Sequence, residues 1–212
     1  MKDIAIYGAG GFGREIACLI TNCLPQWHII GFFDDNPLIK GKMVSHYGSC
    51  LGGIEELNAW GNELSVVLAI GSPKAVRSIV SNVNNSKIEF PNIIHPNYET
   101  LDPQTFSIGH GNIITKDCRA SCNVSIGDFN VLNGSVIFGH DVIIGSYNSF
   151  MPAVRVSGGV HIGDGNFFGI ASIVLQQMKI GNDVKLGAGS VLMTKPKDGA
   201  LYIGNPAKKT EL

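Results

Sequence analysis

Apolar residues recur at an interval of six from Ile108 to Leu192, fifteen in succession, and no member of the series breaks the pattern. They are Ile108, Ile114, Ala120, Ile126, Leu132, Phe138, Ile144, Phe150, Val156, Ile162, Phe168, Val174, Ile180, Leu186 and Leu192. In a chain that is 44% hydrophobic, chance produces such a run on the order of once in a hundred thousand trials, so the period is real. Glycine directly follows eight of these anchors, at 109, 127, 139, 145, 163, 169, 181 and 187. A six-residue period with glycine at turns is the pattern of a parallel β-helix, each unit supplying one short strand and one corner. Three units close a triangular coil of eighteen residues, so fifteen units predict about five coils. Asn112, Asn130, Asn148 and Asn166 fall eighteen apart, which predicts a stacked amide ladder along one corner.

Composition excludes several other classes. The 27 glycines accompany only 9 prolines and a net charge of −1, which argues against collagen and against disorder. A near-neutral chain lacks the basic surface that nucleic acid demands. Charged residues make up 16% against a usual ~25%, so partner chains are expected to cover part of the surface. No apolar run reaches membrane-spanning length and the first residues lack a signal peptide's apolar stretch, which gives a cytoplasmic expectation with no membrane partner. Cys18, Cys23, Cys50, Cys118 and Cys122 form no Cys-x-x-Cys pair and are read as reduced thiols, with neither a disulfide framework nor a metal site.

Residues 1–95 follow a different rule. Strand-like runs at 3–7, 29–33, 65–70 and 92–94 alternate with helix-like runs at 14–24, 54–60 and 75–83, which predicts a small parallel α/β unit. His95-Pro96 ends that pattern, so the expected domains are 1–95 and 96–212. Gly8-x-Gly10-x-x-Gly13 follows the first strand and opens a helix, the context in which backbone N–H groups approach a phosphate. Asp34 and Asp35 end the next strand, where a ribose hydroxyl would be held. Alone, this pattern also fits an NAD-dependent dehydrogenase, but the chain leaves no room for a hydride-transfer domain before the repeat.

Units such as Ile126-Gly-Asp-Phe-Asn-Val, Ile162-Gly-Asp-Gly-Asn-Phe and Ile180-Gly-Asn-Asp-Val-Lys, closed by Leu186-Gly-Ala-Gly-Ser-Val and Ile203-Gly-Asn-Pro-Ala-Lys-Lys, resemble the hexapeptide-repeat acyltransferases. With Gly8-Ala-Gly-Gly-Phe-Gly-Arg-Glu in front, the chain is similar to the sialic-acid O-acetyltransferases and the nucleotide-4-amino-sugar N-acetyltransferases. The resemblance implies a Rossmann-like nucleotide-sugar domain followed by a left-handed β-helix. It also implies acetyl-CoA as co-substrate, a homotrimer and no metal.

Acetyl transfer needs a base, oxyanion donors and a site for the acyl carrier. Of six histidines, His140 alone sits at a corner beside a carboxylate, in Phe138-Gly-His-Asp141; an aspartate there can orient the ring and stabilise the imidazolium. The resemblance implies His140 as base and Asp141 as its partner. His110 shares its phase but is read as a surface histidine. Gly158 lies one coil from His140, ~4.8 Å away at strand spacing, and its N–H can face an oxyanion. The resemblance implies that role for Gly158 and a pantetheine path over Ile170 and Ala188. Lys208, with Lys195 and Lys209, is a candidate for the coenzyme A phosphates. Ser149 stands where the family frequently has a second, acetyl-contacting histidine. In the first domain, the resemblance implies nucleotide contacts from Gly10, Gly11, Phe12, Asp34 and Asp35; Phe12 stands where the family often has histidine. Gly71 follows a strand at its carboxyl end, the usual ligand edge of such a sheet, and is expected to close over the same ligand. The function expected is N-acetylation of a UDP- or GDP-linked 4-amino sugar in bacterial glycan synthesis. The alternatives are O-acetylation of sialic acid or another glycan sugar and a non-catalytic nucleotide-binding solenoid.

Overall fold

The computed structural model describes residues 1–210 and separates two compact units, Met1–Ile93 and Ile94–Leu212. The first contains β1 (Lys2–Tyr7), α1 (Gly11–Cys23), β2 (Trp27–Phe33), β3 (Cys50–Gly52), α2 (Ile54–Asn58), β4 (Leu64–Leu68), α3 (Pro73–Asn82) and β5 (Ile88–Glu89). Its sheet is wholly parallel, in the order β3-β2-β1-β4-β5. The strand order reverses beside β1, which opens a crevice at the carboxyl ends of the strands. Ile4, Ala5, Ile6 and Tyr7 of this central strand are all buried, as an apolar run flanked on both sides requires. Helix α3 starts where its sequence allows: Pro73 stands in the first turn, and Ser72 accepts from the Ala75 N–H at 3.4 Å.

One strand belongs elsewhere. The run at 92–94 does not complete this sheet; β5 does, through Leu64 and Ser65 of β4. Ile93–Ile94 instead joins the edge of a solenoid sheet, and the His95 N–H donates to Ile114 O at 2.8 Å. A short apolar run declares a strand, but its ladder bonds decide which sheet holds it.

The second unit is a left-handed parallel β-helix of two-residue strands on three faces. Each anchor pairs in register with the anchor eighteen residues on, as in Phe138 with Val156 and Phe150 with Phe168. Fourteen of the fifteen anchors are buried, and Ile108 packs half-buried against them. Phe150 and Phe168 stack in parallel at 4.7 Å inside the prism. The coils also begin earlier than the regular series shows: Ile93–Ile94, Glu99–Thr100 and Ser107–Ile108 form a first coil. An eight-residue step from Thr100 to Ile108 puts it out of phase. At the other end, Leu201–Gly204 pairs with Lys185–Leu186 and folds back against Ala207–Thr210.

Corner glycines do a different job from the one their abundance suggests. Positive φ falls on the third residue after each anchor from Ile108 to Leu186, at 55–71°, and ten of those fourteen residues are not glycine. The glycine directly after the anchor has no positive φ. It is required because coils touch there: a Cβ on Gly127 would lie 2.6 Å from Gly145 O, and one on Gly145 would lie 2.8 Å from Gly163 O. The asparagine ladder forms as its spacing predicts. Asn112, Asn130, Asn148 and Asn166 are fully buried, and the last three amides each donate to the preceding Oδ1 at 2.9–3.1 Å.

Candidate active site

His140 and Asp141 occupy the corner between the strands Ile137–Phe138 and Ile143–Ile144. Asp141 takes the left-handed position, φ 58°, which turns its carboxylate back onto its own neighbour. Asp141 Oδ2 therefore meets His140 Nδ1 at 2.7 Å, and Asp141 Oδ1 accepts from Asn123 Nδ2 at 2.9 Å. Those two bonds hold the Asp141 carboxyl below the usual carboxylate range. An ionised Asp141 fixes the hydrogen on Nδ1 and leaves the Nε2 lone pair free. Nε2 faces Gly158: a Cβ built there would come within 2.5 Å of it. The N–H groups of Cys122, His140, Gly158 and Gln176, which follow one another by one coil, donate to no group among the described residues. The imidazole is 64% exposed.

His110 occupies a contrasting corner. Its Nδ1 and its backbone N–H both meet Asp128 Oδ1 at 2.9 Å, and its ring packs edge-on against Phe129. Asp128, Asp164 and Asn182 accept there from backbone N–H groups one coil away, as does Ser146 Oγ.

In the first unit, β1 passes into α1 through closely packed glycines. A Cβ on Gly13 would lie 1.8 Å from Gly8 O, and Gly8 has φ 108°. Gly10 and Gly11 face open space, and Gly10 caps α1 without a side-chain bond, so the first-turn N–H groups are available to an anion. A pocket of about 410 Å³ opens over them, lined in part by Phe12, Asp34, Asp35, Ala69 and Ile70. Gly71 does not line it. The two aspartates divide their work. Asp34 accepts from the Ala9 and Asn36 N–H groups, shaping the loop, while Asp35 Oδ1 takes the Tyr7 hydroxyl at 2.6 Å and the Ile54 N–H. Burial and Asp35 push the Tyr7 phenol far above its ordinary range, so it stays a donor. A second pocket of about 340 Å³ shares Asp34 and Asp35 and adds Lys40, Gly53 and Glu56. The larger 490 Å³ pocket between Lys2 and Lys87 opens at the amino ends of β1, β4 and β5, the edge that parallel sheets do not use for ligands.

The sequence matches the PglD N-terminal domain family over residues 3–83. No curated protein sequence matches the chain. Among solved structures, the acetyltransferase domain of PglB from Neisseria gonorrhoeae FA1090, in complex with acetyl coenzyme A, superposes with a TM-score of 0.87. It is 27% identical and covers 99% of each chain. Over its whole length the chain thus shares the fold of a solved acetyltransferase domain. Two further structures share this fold. WeeI from Acinetobacter baumannii AYE matches at 24% identity and TM-score 0.89, covering 99% of this chain and 100% of its own. PerB from Caulobacter crescentus, in complex with CoA and GDP-perosamine, matches at 23% and 0.86, covering 100% and 98%.

The remaining residues expected at the acetyl and coenzyme A sites are spread over the solenoid. Gly158 alone adjoins His140. Ile170 and Ala188 stack on the next corner, where the Gly189 N–H donates to Ile170 O at 2.8 Å. Ser149 is 2% exposed and lies in the eight-stranded face. Lys208 lies on the terminal strand opposite Ile203, where an edge lysine also blocks further strand pairing. Asn123 went unnoticed in the sequence; its eighteen-residue distance from Asp141 was the available signal. Among the described residues no cluster of His, Cys, Asp or Glu suits a metal, and no helix is long and apolar enough to cross a membrane.

Proposed function

We propose that the enzyme transfers an acetyl group from acetyl-CoA to the 4-amino group of a UDP- or GDP-linked amino sugar, with His140 as general base. The observation that carries this reading is the placement of a free Nε2 directly against Gly158, with Nδ1 held by an ionised Asp141. The neutral amine attacks the thioester carbonyl and forms a C–N bond while Nε2 takes its proton. The resulting oxyanion accepts from the Gly158 N–H, which has no competing partner among the described residues. Collapse breaks the C–S bond, and the imidazolium returns the proton to the thiolate of CoA. The acetyl-CoA complex of the PglB domain supports the choice of donor. The open first turn of α1, with Asp35 beside it, suits the diphosphate and ribose of a nucleotide sugar.

A homotrimer completes this reading. His140 is exposed, while Ile170 and Ala188 occupy a different corner from Gly158; a groove between copies would unite two such corners. The test is CoA-thiol release from acetyl-CoA against UDP- and GDP-linked 4-amino sugars, using protein whose mass is fixed by light scattering. Free sialic acid supplies the hydroxyl arm. Wild-type trimers should turn over an amino sugar, and His140→Ala should lose about a hundredfold or more in kcat. Unchanged turnover in that variant, or activity in a monomer, would overturn the mechanism or the assembly respectively.

A further inference from the structure

We propose that Asn123 is a positioning residue for the His140–Asp141 pair, acting from the preceding coil; its kinetic consequence rests on the acetyl-transfer reading above. Asn123 and Asp141 are the same corner residue in successive coils, both left-handed, with φ 56° and 58°. The Asn123 amide donates to Asp141 Oδ1 at 2.9 Å, which leaves Oδ2 for His140 Nδ1 at 2.7 Å. One hydrogen bond would let this 55% exposed carboxylate swing about its terminal torsion. Two bonds, one on each oxygen, fix its plane, and the plane of the imidazole follows.

Asn123 is itself held. Its backbone N–H donates to Thr105 Oγ1 at 2.8 Å, and Thr105 Oγ1 donates to Asp102 Oδ2 at 2.8 Å. Thr105, Asn123 and Asp141 thus form a column along the outside of one corner, ending at the imidazole. The titratable groups along it are Asp102 at its foot, Cys122 one coil before His140 in register, Asp141 and His140; Gly158, one coil beyond, adds none. An uncharged donor at position 123 can orient Asp141 without competing for its charge, whereas a carboxylate there would repel it.

The experiment uses full-length protein carrying Asn123→Ala, Asn123→Asp or Asp141→Asn. Alanine already occupies this left-handed position at Ala153 and Ala171, φ 64° and 55°, so the fold accepts it, and thermal melts of each variant verify this. The His140 imidazole is titrated by NMR, its signal identified by loss in His140→Gln. Asn123→Asp adds a negative charge beside the pair and should raise the His140 midpoint by about half a pH unit, moving the acid limb of the rate profile with it. Asn123→Ala should lower kcat about tenfold, leave KM for acetyl-CoA within about twofold, and cost nothing further when Asp141→Asn is already present. An unmoved midpoint in Asn123→Asp would overturn the proposal, as would an equal loss from Asn123→Ala with and without Asp141. If no acceptor is turned over but Asn123→Ala shifts the His140 titration only while Asp141 is present, positioning stands and the assigned reaction falls.

Discussion

Two corners of the same solenoid are built from the same backbone turn and used in opposite ways. At the corner of His110, four successive turns, at His110, Asp128, Ser146 and Asp164, are tied to the next coil. Side chains of Asp128, Ser146, Asp164 and Asn182 accept the backbone N–H groups outside, and the asparagine ladder runs inside. At the corner of His140 the interior column is Val124, Val142 and Val160, and the outer N–H groups of Cys122, His140, Gly158 and Gln176 donate to nothing among the described residues. Each corner has a histidine paired with an aspartate, so the pair alone does not mark the reactive one. What separates them is unspent hydrogen-bonding capacity: one corner uses its donors to hold itself together, and the other keeps them for a substrate.

The sharpest way to break that contrast is to attack the ladder. Asn148 donates to Asn130 Oδ1 and Gly163 O and accepts from the Asn166 backbone and side chain. Asn148→Ala should therefore cost about 3 kcal/mol or more by leaving buried partners unsatisfied, read as a fall in chemical-denaturation midpoint. A loss under about 1 kcal/mol would show that the ladder is ornamental. Next comes the bare corner. Gly158→Ala drives a methyl group into the imidazole and should lower kcat about a hundredfold with little change in stability, since a displacement of about 1 Å at a reacting group has that effect. Normal kinetics in this variant would remove Gly158 from the site. The smallest effect is expected from Ser146→Ala, which deprives the Asp128 N–H of its acceptor. It should cost about 1 kcal/mol and leave kcat unchanged, and a kinetic defect would erase the distinction between the corners.

Most of the solenoid was legible because its period is set by sterics that every coil repeats. The anchors, the amide ladder and the stacking of Gly158 on His140 all follow from counting by six and eighteen. The first coil was not legible, because the step from Thr100 to Ile108 shifts the phase, and polar Thr100 stands where an apolar anchor would. Positive φ at the third residue was hidden for another reason. Residues as different as Phe129, Tyr147, Asp141 and Gln177 fill that position, so no residue type advertises it. In the first unit the glycine loop was visible, yet the division of labour between Asp34 and Asp35 was not, since only three-dimensional structure shows which N–H each carboxylate meets. Asn123 combines both problems: its distance from Asp141 was countable, but the left-handed turns that let the two side chains meet were silent.

Register has a further consequence for how such a protein can change. Asn123, Asp141 and Gly158 come from three successive coils, so their alignment depends on the number of residues between them. An insertion of eighteen residues beyond Gly158 would add a storey and leave the reactive corner untouched. An insertion of six between Asp141 and Gly158 would carry the glycine round to a different face, with every local preference still satisfied. The lineage of such a chain can lengthen or shorten only in whole turns, and an indel of any other size separates residues that no point mutation could part.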